Sequence, residues 1–472
     1  MRKEHDSLGT ELLDDESVFG IHTLRGFKNF PVSGEKLNPY LIKGVLLVKK
    51  AAAETNYKCG LLSSEKYEPI IAAIDKLIDE IDCFIDYNDS AVYNKIIVDP
   101  FQGGAGTSLN MNINEVIANT ALKISGKKYG EYELIHPIDD VNLSQSTNDV
   151  IPTALKIASI TLLRELAKSY ASLQGALQEK EVNFGNILKL GRTQYQDAVP
   201  IMLGQEFGAY AQAIARDRWR LYNGEERLRS VNLGGTAVGN SITADKNYVL
   251  SVNSELKKIT GLPLAKGEDL IDSTQNLDVF VEVHGLVKSG AVSLIKICND
   301  LRFMSSGPNG GIGEINLPAM QAGSSIMPGK VNPVIPENMI QICELIKGHD
   351  SVISNLVSSG HLELNPFTPM IGHLFLKSVS LLKEGIDNFT AKCVKGITAN
   401  KQRCWDNLSR SSAPAASLIR IFGYDKVAEI VKESLDKSIT FTEALMSRKL
   451  ISENDLKEIL SSKEIHEPRT SV

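Results

Sequence analysis

Residues 322–334 read AGSSIMPGKVNPV, with two adjacent serines, a lysine and an asparagine set among glycines and prolines. Pro328 and Pro333 interrupt any helix, while Gly323 and Gly329 allow tight or left-handed turns. Such a loop can aim several backbone N–H groups at one point and so make an anion nest. A serine is too weak an acid to act as a base unaided. Held in that nest, with Lys330 adding positive charge, Ser324 could be kept as an oxyanion and take a proton from carbon. The plain alternative is a turn whose serines cap the next helix.

Three further loops are rich in small hydroxyl and amide residues: GAGTSLN (104–110), LSQSTND (143–149) and LGRTQYQDAVP (190–200). Several neutral donors and a single cation are what a small dicarboxylate requires. Taken singly, the first two also read as helix N-caps, with Asp149 capping a helix opened by Pro152 at its first turn.

These loops need long elements to hold them. Val279, Val283, Leu286, Gly290, Leu294, Ile297 and Leu301 recur at steps of three or four, one face of a helix of more than five turns. Leu155, Ala158, Leu162, Leu166, Ser169, Leu173 and Leu177 form a second stripe, and Ile340, Leu345, Ile346, Ile353 and Leu356 a third. Helices of this length must pack on one another, and Gly290 and Ala291 allow a close neighbour. Strand signals are few and short, and VNLGGTAVGN (231–240) reads as a turn whose glycines take positive φ. The expected chain is mainly α: a mixed, mostly helical domain over 1–140, a long-helix bundle over 141–396 and a small helical domain over 397–472.

The composition fits that picture. The chain has 472 residues, 43% hydrophobic and 23% charged, with a net charge of −6. That balance gives no basic patch for nucleic acid, and no apolar run reaches the roughly 18 residues of a membrane span. The N-terminal MRKEHDSLGTELLDD lacks the apolar run of a signal peptide, so a cytoplasmic location is expected. Six dispersed cysteines read as buried reduced thiols, and no spacing suggests a metal site. QGGAGTS lacks the GxGxxG spacing of a nucleotide-binding turn.

GSSIMPGKVNP closely resembles the signature of the fumarase/aspartase superfamily. The resemblance extends through HTLRGFKNF (22–30), QGGAGTSLNMNINEV (102–116), VNLSQSTNDVIPTA (141–154), GRTQYQDAVPIMLGQE (191–206) and KICNDLRFMSSGP (296–308). The STND, DAVP and NPVI forms resemble the ammonia-lyase branch for aspartate, where class II fumarases usually carry SSND, DATP and NPTQ. Three segments depart from that branch: Gly239-Asn240-Ser241-Ile242-Thr243, Gly307-Pro308-Asn309, and Glu363-Leu364-Asn365-Pro366-Phe367-Thr368-Pro369.

The resemblance implies a three-domain fold whose central helices pool into a twenty-helix core of a homotetramer, with active sites built from three subunits. It implies reversible removal of ammonia from L-aspartate to give fumarate, with no required cofactor and with Mg²⁺ activation left open. Ser324 would be the base. Thr107, Ser146, Thr147 and Ser325 would hold the β-carboxylate, and Lys330 and Asn332 the α-carboxylate. Asn148, Thr193 and Gln194 would lie near the amino group. Many superfamily members have histidine at the position of Gln194, paired with a glutamate resembling Glu337. The alternatives are a class II fumarate hydratase, an ammonia-lyase for a related amino acid, and a non-catalytic scaffold of the kind found among lens crystallins.

Overall fold

The computed structural model describes residues 1–87 and 90–461; the polar end at 462–472, with the last stretch of the expected C-terminal domain, lies outside them. In chain order the elements are β1 (Arg2–Asp6), β2 (Gly9–Leu13), α1 (Ile21–Asn29), α2 (Pro39–Lys58), α3 (Ser64–Tyr87), α4 (Thr107–Ile124), α5 (Thr147–Asn183), β3 (Leu188–Thr193), β4 (Gln196–Met202) and α6 (Leu203–Arg227). There follow β5 (Ser230–Val231), α7 (Lys246–Thr260), β6 (Ala265–Lys266), α8 (Leu270–Gln275), α9 (Asp278–Met304), β7 (Ile315–Asn316), α10 (Val334–Val357) and α11 (Thr368–Lys392). The chain closes with β8 (Thr398–Ala399), α12 (Lys401–Arg410), α13 (Pro414–Phe422), α14 (Tyr424–Asp436), α15 (Phe441–Ser447) and α16 (Glu453–Ser461). The fold is mainly α, as expected, and the described strands form only two-stranded pairs.

The chain divides into two compact units. The first comprises Met1–Ala167, Trp219–Ser289 and Leu345–Leu382. Its hub is α4, buried continuously from Leu109 to Leu122 although it carries Asn110, Asn112, Asn114, Glu115 and Asn119. A polar helix survives such burial only when its side chains are paired. Asn112 exchanges hydrogen bonds with the backbone of Lys95 and Ile97, and Asn119 with Val18 and Gly130. Glu115 takes N–H bonds from Gly20, His22 and Thr23 and so caps α1. The helices α1 and α3 pack against α4, and α2 packs against α3 and α7.

The second unit comprises Lys168–Arg218, Gly290–Glu344 and Lys383–Val472. One of its cores joins Leu188 and Leu190 of β3 to Leu408, Leu418, Ile430, Phe441, Leu445 and Leu456 of the C-terminal helices. The β3–β4 hairpin is therefore seated on the C-terminal part of the chain. At Gly290 of α9, an added Cβ would lie 2.2 Å from the Tyr170 hydroxyl, so the close approach expected there is present.

Several expectations require correction. The helix expected to open at Pro152 begins at Thr147, with the proline inside it. Proline supplies no N–H to the carbonyl four residues back, at Asn148. Asn232 Nδ2 donates to that carbonyl instead, at 3.0 Å, so the helix continues. The 155–177 stripe is buried throughout, whereas Leu345 of the third stripe is 46% exposed and Val279 and Leu286 are only half-buried. In the 231–240 turn, Gly234 and Gly239 have the expected positive φ. Among the described residues no cysteine forms a disulfide, but Cys83 is exposed and Cys59 only partly covered.

Candidate active site

In the first unit the N-termini of α4 and α5 meet through side chains. Asn110, one turn into α4, donates at 3.1 Å both to Thr147 Oγ1 and to Asn142 Oδ1. Asn142 Oδ1 also takes bonds from Asn114 and, at 2.8 Å, from Lys49 Nζ. Lys49 is 1% exposed, and burial pulls its ammonium down to about 7. Two helix N-termini with a buried amine behind them favour an anion.

The STND turn is also a cap, so the plain reading holds in part. Ser146 Oγ accepts from the Asn148 N–H, and Asp149 accepts from the Ser146 N–H at 2.9 Å. The other oxygen of Asp149 accepts from Gly234 and Thr236, tying the 231–240 turn to α5. Burial raises Asp149 to about 6 against these three donors. Asn148 Nδ2 donates to the Ala237 carbonyl at 2.7 Å, which leaves its Oδ1 as an acceptor. The GAGTS loop is not a hydroxyl cap: Gln102 Oε1 caps the α4 amide of Leu109, and Thr107 donates its hydroxyl to Gly104. Thr107 is exposed, and Ser146, Thr147 and Asn148 are half-buried.

In the second unit, Ser324 Oγ accepts two backbone N–H bonds, from Ile326 and Met327, each at 3.1 Å. The loop is closed by Gly323 N–H to the Lys330 carbonyl at 2.7 Å, and by Asn332 Nδ2 to the Gly323 carbonyl at 2.8 Å. A Cβ at 323 would stand 2.4 Å from the Lys330 oxygen, so only glycine permits this closure. Ser324 and Asn332 are half-buried; Ser325 and Lys330 are exposed. The serine does not cap α10, which starts ten residues later at Val334.

Thr193 and Gln194 lie at the tip of the β3–β4 hairpin. Thr193 pairs with Gln196, so Gln194 and Tyr195 form a two-residue turn, and both have positive φ (54° and 63°). That is the turn geometry usually filled by Asn-Gly, and each side chain held there costs about 1 kcal/mol or more. Thr193 and Gln194 are exposed, and Tyr195 meets Phe303 edge to face. Glu337 contacts Arg302 at 3.8 Å.

The sequence-derived residues thus gather into three groups: Thr107 with Ser146, Thr147 and Asn148; Thr193 with Gln194; and Ser324, Ser325, Lys330 and Asn332. The hairpin pair and the serine loop share no hydrogen bond among the described residues. Lys49, Asn110 and Asn142, which sequence reasoning did not assign there, complete the first group with Asp149, which it read as a cap. Left-handed backbone marks the same places: Ala105, Ser144, Gln194 and Tyr195 stand out among the non-glycine residues with positive φ, as do Thr236 and Ser241 of the neighbouring turn. Of the departures from the ammonia-lyase pattern, Asn240 and Thr243 are exposed, while buried Asn365 bonds to the α10 carbonyls of Leu356 and Val357.

Comparison with known proteins gives the chain's family. Residues 13–348 match the family described as lyase. An aspartate ammonia-lyase of Helicobacter pylori is 42% identical over 99% of this chain and 98% of its own. The crystal structure of a fumarate lyase:delta crystallin from Brucella melitensis bound to cobalt superposes with a TM-score of 0.93 at 43% identity, covering 99% of this chain and 100% of that one. A class II fumarase from Schistosoma mansoni gives 0.88 at 29% identity over 97% and 98%. The chain belongs to the lyase family, within the fumarase/aspartase superfamily.

Proposed function

We propose that this protein is an aspartate ammonia-lyase, converting L-aspartate reversibly to fumarate and ammonia. The observation that carries the chemistry is the pair of backbone amides on Ser324 Oγ. Two fixed donors stabilise an alkoxide more than a hydroxyl, which lowers the cost of making serine a base. Ser324 would then take the Cβ proton of bound aspartate.

Charge from that step builds on the β-carboxylate, which becomes a doubly negative aci-carboxylate. Ser146 and Thr147 suit it, because both hydroxyl oxygens already accept N–H bonds and their protons are left to donate. Thr107 joins once its hydroxyl turns from Gly104, and Ser325 adds a fourth hydroxyl. Lys330 and the second amide hydrogen of Asn332 bind the α-carboxylate. Asn148 Oδ1, with Thr193 and Gln194, accepts from the α-ammonium group, which departs as ammonia when the aci-carboxylate collapses to the double bond.

Three subunits of a homotetramer each supply one group, so the isolated monomer is inactive. The apolar exposure of Leu345, Val352 and Trp219 on long helices supports such assembly. The three-domain division at 140 and 396 and a cytoplasmic location belong to the same reading. No described helix is long and apolar enough to cross a membrane. The test is ultraviolet detection of fumarate from L-aspartate and, in parallel, from L-malate. Fumarate from aspartate alone supports the proposal; fumarate from malate alone replaces it with a hydratase, the reading that the Schistosoma fumarase likeness favours.

A further inference from the structure

One buried carboxylate in the second unit joins the hairpin to the root of the serine loop. Glu314 has no solvent exposure. Its Oε1 lies 2.9 Å from Arg192 Nη1 and accepts from Asn407 Nδ2 at 3.1 Å. Its Oε2 lies 3.1 Å from Lys189 Nζ, an ion-pair contact outside hydrogen-bond angles. Lys189 is itself bonded to Glu206 at 2.8 Å. The Glu314 backbone bonds to Met304 and Asn400, and β7 follows at once, pairing with β8. Ser324 lies ten positions after Glu314.

The hairpin is irregular where this requires it. Side chains three apart on a regular strand face opposite ways, so Lys189 and Arg192 could not share one partner. The register of β3 shifts between Leu190 and Arg192, and this bulge turns Arg192 to the side of Lys189. Leu188 and Leu190 remain in the hydrophobic core. Gly191 permits the bulge, since a Cβ there would stand 2.5 Å from the Val199 carbonyl.

We propose that Glu314 is a positioning residue that, by gripping Lys189 and Arg192 across the Gly191 bulge, sets the Thr193–Gln194 tip for the amino group of the substrate. This rests on the ammonia-lyase reading. The carboxylate is too deeply buried to touch substrate and acts through Arg192, the residue before the tip. Losing its charge leaves Glu206 to Lys189 and only the Leu190 carbonyl to Arg192, and frees the tip to drift.

The test is Glu314→Gln, which keeps size and the Asn407 bond. The readouts are kcat and KM for L-aspartate and the inhibition constant of succinate, a dicarboxylate without an amino group. KM is expected to rise about 10-fold or more while kcat stays within about 3-fold, since small misplacement weakens a specific contact strongly. Succinate inhibition should change less than about 2-fold, because the donors for both carboxylates are untouched. A purely structural ion pair would instead lower kcat through loss of active protein, with KM unchanged. That result, or KM and succinate inhibition weakening together, overturns the proposal. If Glu314→Gln does not fold, Arg192→Gln is read by the same three constants and decides in its place. Failure of the wild type to release fumarate from aspartate rejects the underlying reading separately, before any variant is compared.

Discussion

The two regions proposed to carry the chemistry are built differently. Behind the Ser146–Asn148 turn stand buried side chains from distant parts of the sequence, Lys49, Asn110 and Asn232, together with its sequence neighbours Asn142 and Asp149. The Ser324 loop is held mainly by its own backbone, with Ile326 86% exposed and Met327 51% exposed. Segments with few buried contacts belong to the low-stability part of a fold. The difference assigns separate vulnerabilities. Changes in the turn should act first on folding, and changes in the serine loop first on turnover.

The sharpest way to break that contrast is Ser324→Ala. Turnover of aspartate to fumarate should fall by about 10³-fold or more, the scale of losing a positioned base, while the melting temperature stays within about 1 °C. Activity near the wild-type level would remove Ser324 from the mechanism. A large fall in melting temperature would instead show that the loop is a structural element.

Asp149→Ala probes the opposite member. It leaves the backbone amides of Ser146, Gly234 and Thr236 without their acceptor. The expected loss is about 3–5 kcal/mol in urea unfolding near pH 5. Its pH dependence has a definite sign. Asp149 titrates at about 6 when folded, above the roughly 3.9 of an unfolded chain, so folding takes up a proton between those values. The stabilisation is whole below about pH 4 and is lost as pH rises through 6. The gap between wild type and variant should therefore narrow toward pH 7; a gap that widens contradicts the burial assignment.

The same contrast explains what the sequence could convey. Local signals were readable: the buried face from Leu155 to Leu177, the small residue at Gly290, and a glycine–proline loop around Ser324. Partners that meet only after folding were not. Lys49 lies between Val48 and Lys50 in α2 and looks like any helical lysine until Asn142, 93 residues on, takes its ammonium. Pro152 resembles a helix start because its rescue comes from Asn232. The bulge at Gly191 depends on Glu314, 123 residues away, and the exposure of Leu345 on its stripe carries no local mark.

Lys330→Ala sharpens the comparison at lower amplitude. Lys330 is exposed, and no ion pair holds it among the described residues, so removing it should leave folding unchanged. KM for aspartate should rise about 10- to 100-fold through loss of a charge-assisted bond worth about 1.5–3 kcal/mol. An unchanged KM would take the α-carboxylate away from this residue.

The smallest expected effect is Gln194→His. A hydratase must activate water, and histidine paired with a carboxylate can do so near neutral pH, whereas glutamine cannot shuttle a proton. The substitution supplies the imidazole, but the carboxylate resembling its usual partner, Glu337, faces Arg302 at 3.8 Å. That carboxylate is already engaged by the arginine, so the new imidazole gains no free acidic partner. The tip also keeps its left-handed turn at 194 and 195, which histidine tolerates at least as well as glutamine. Malate formation from fumarate by the variant should therefore stay within about 2-fold of wild type, with aspartate turnover reduced modestly through lost contact to the amino group. Strong malate formation would show that the identity of residue 194 alone separates ammonia from water as the leaving group, and that the surrounding charges do not.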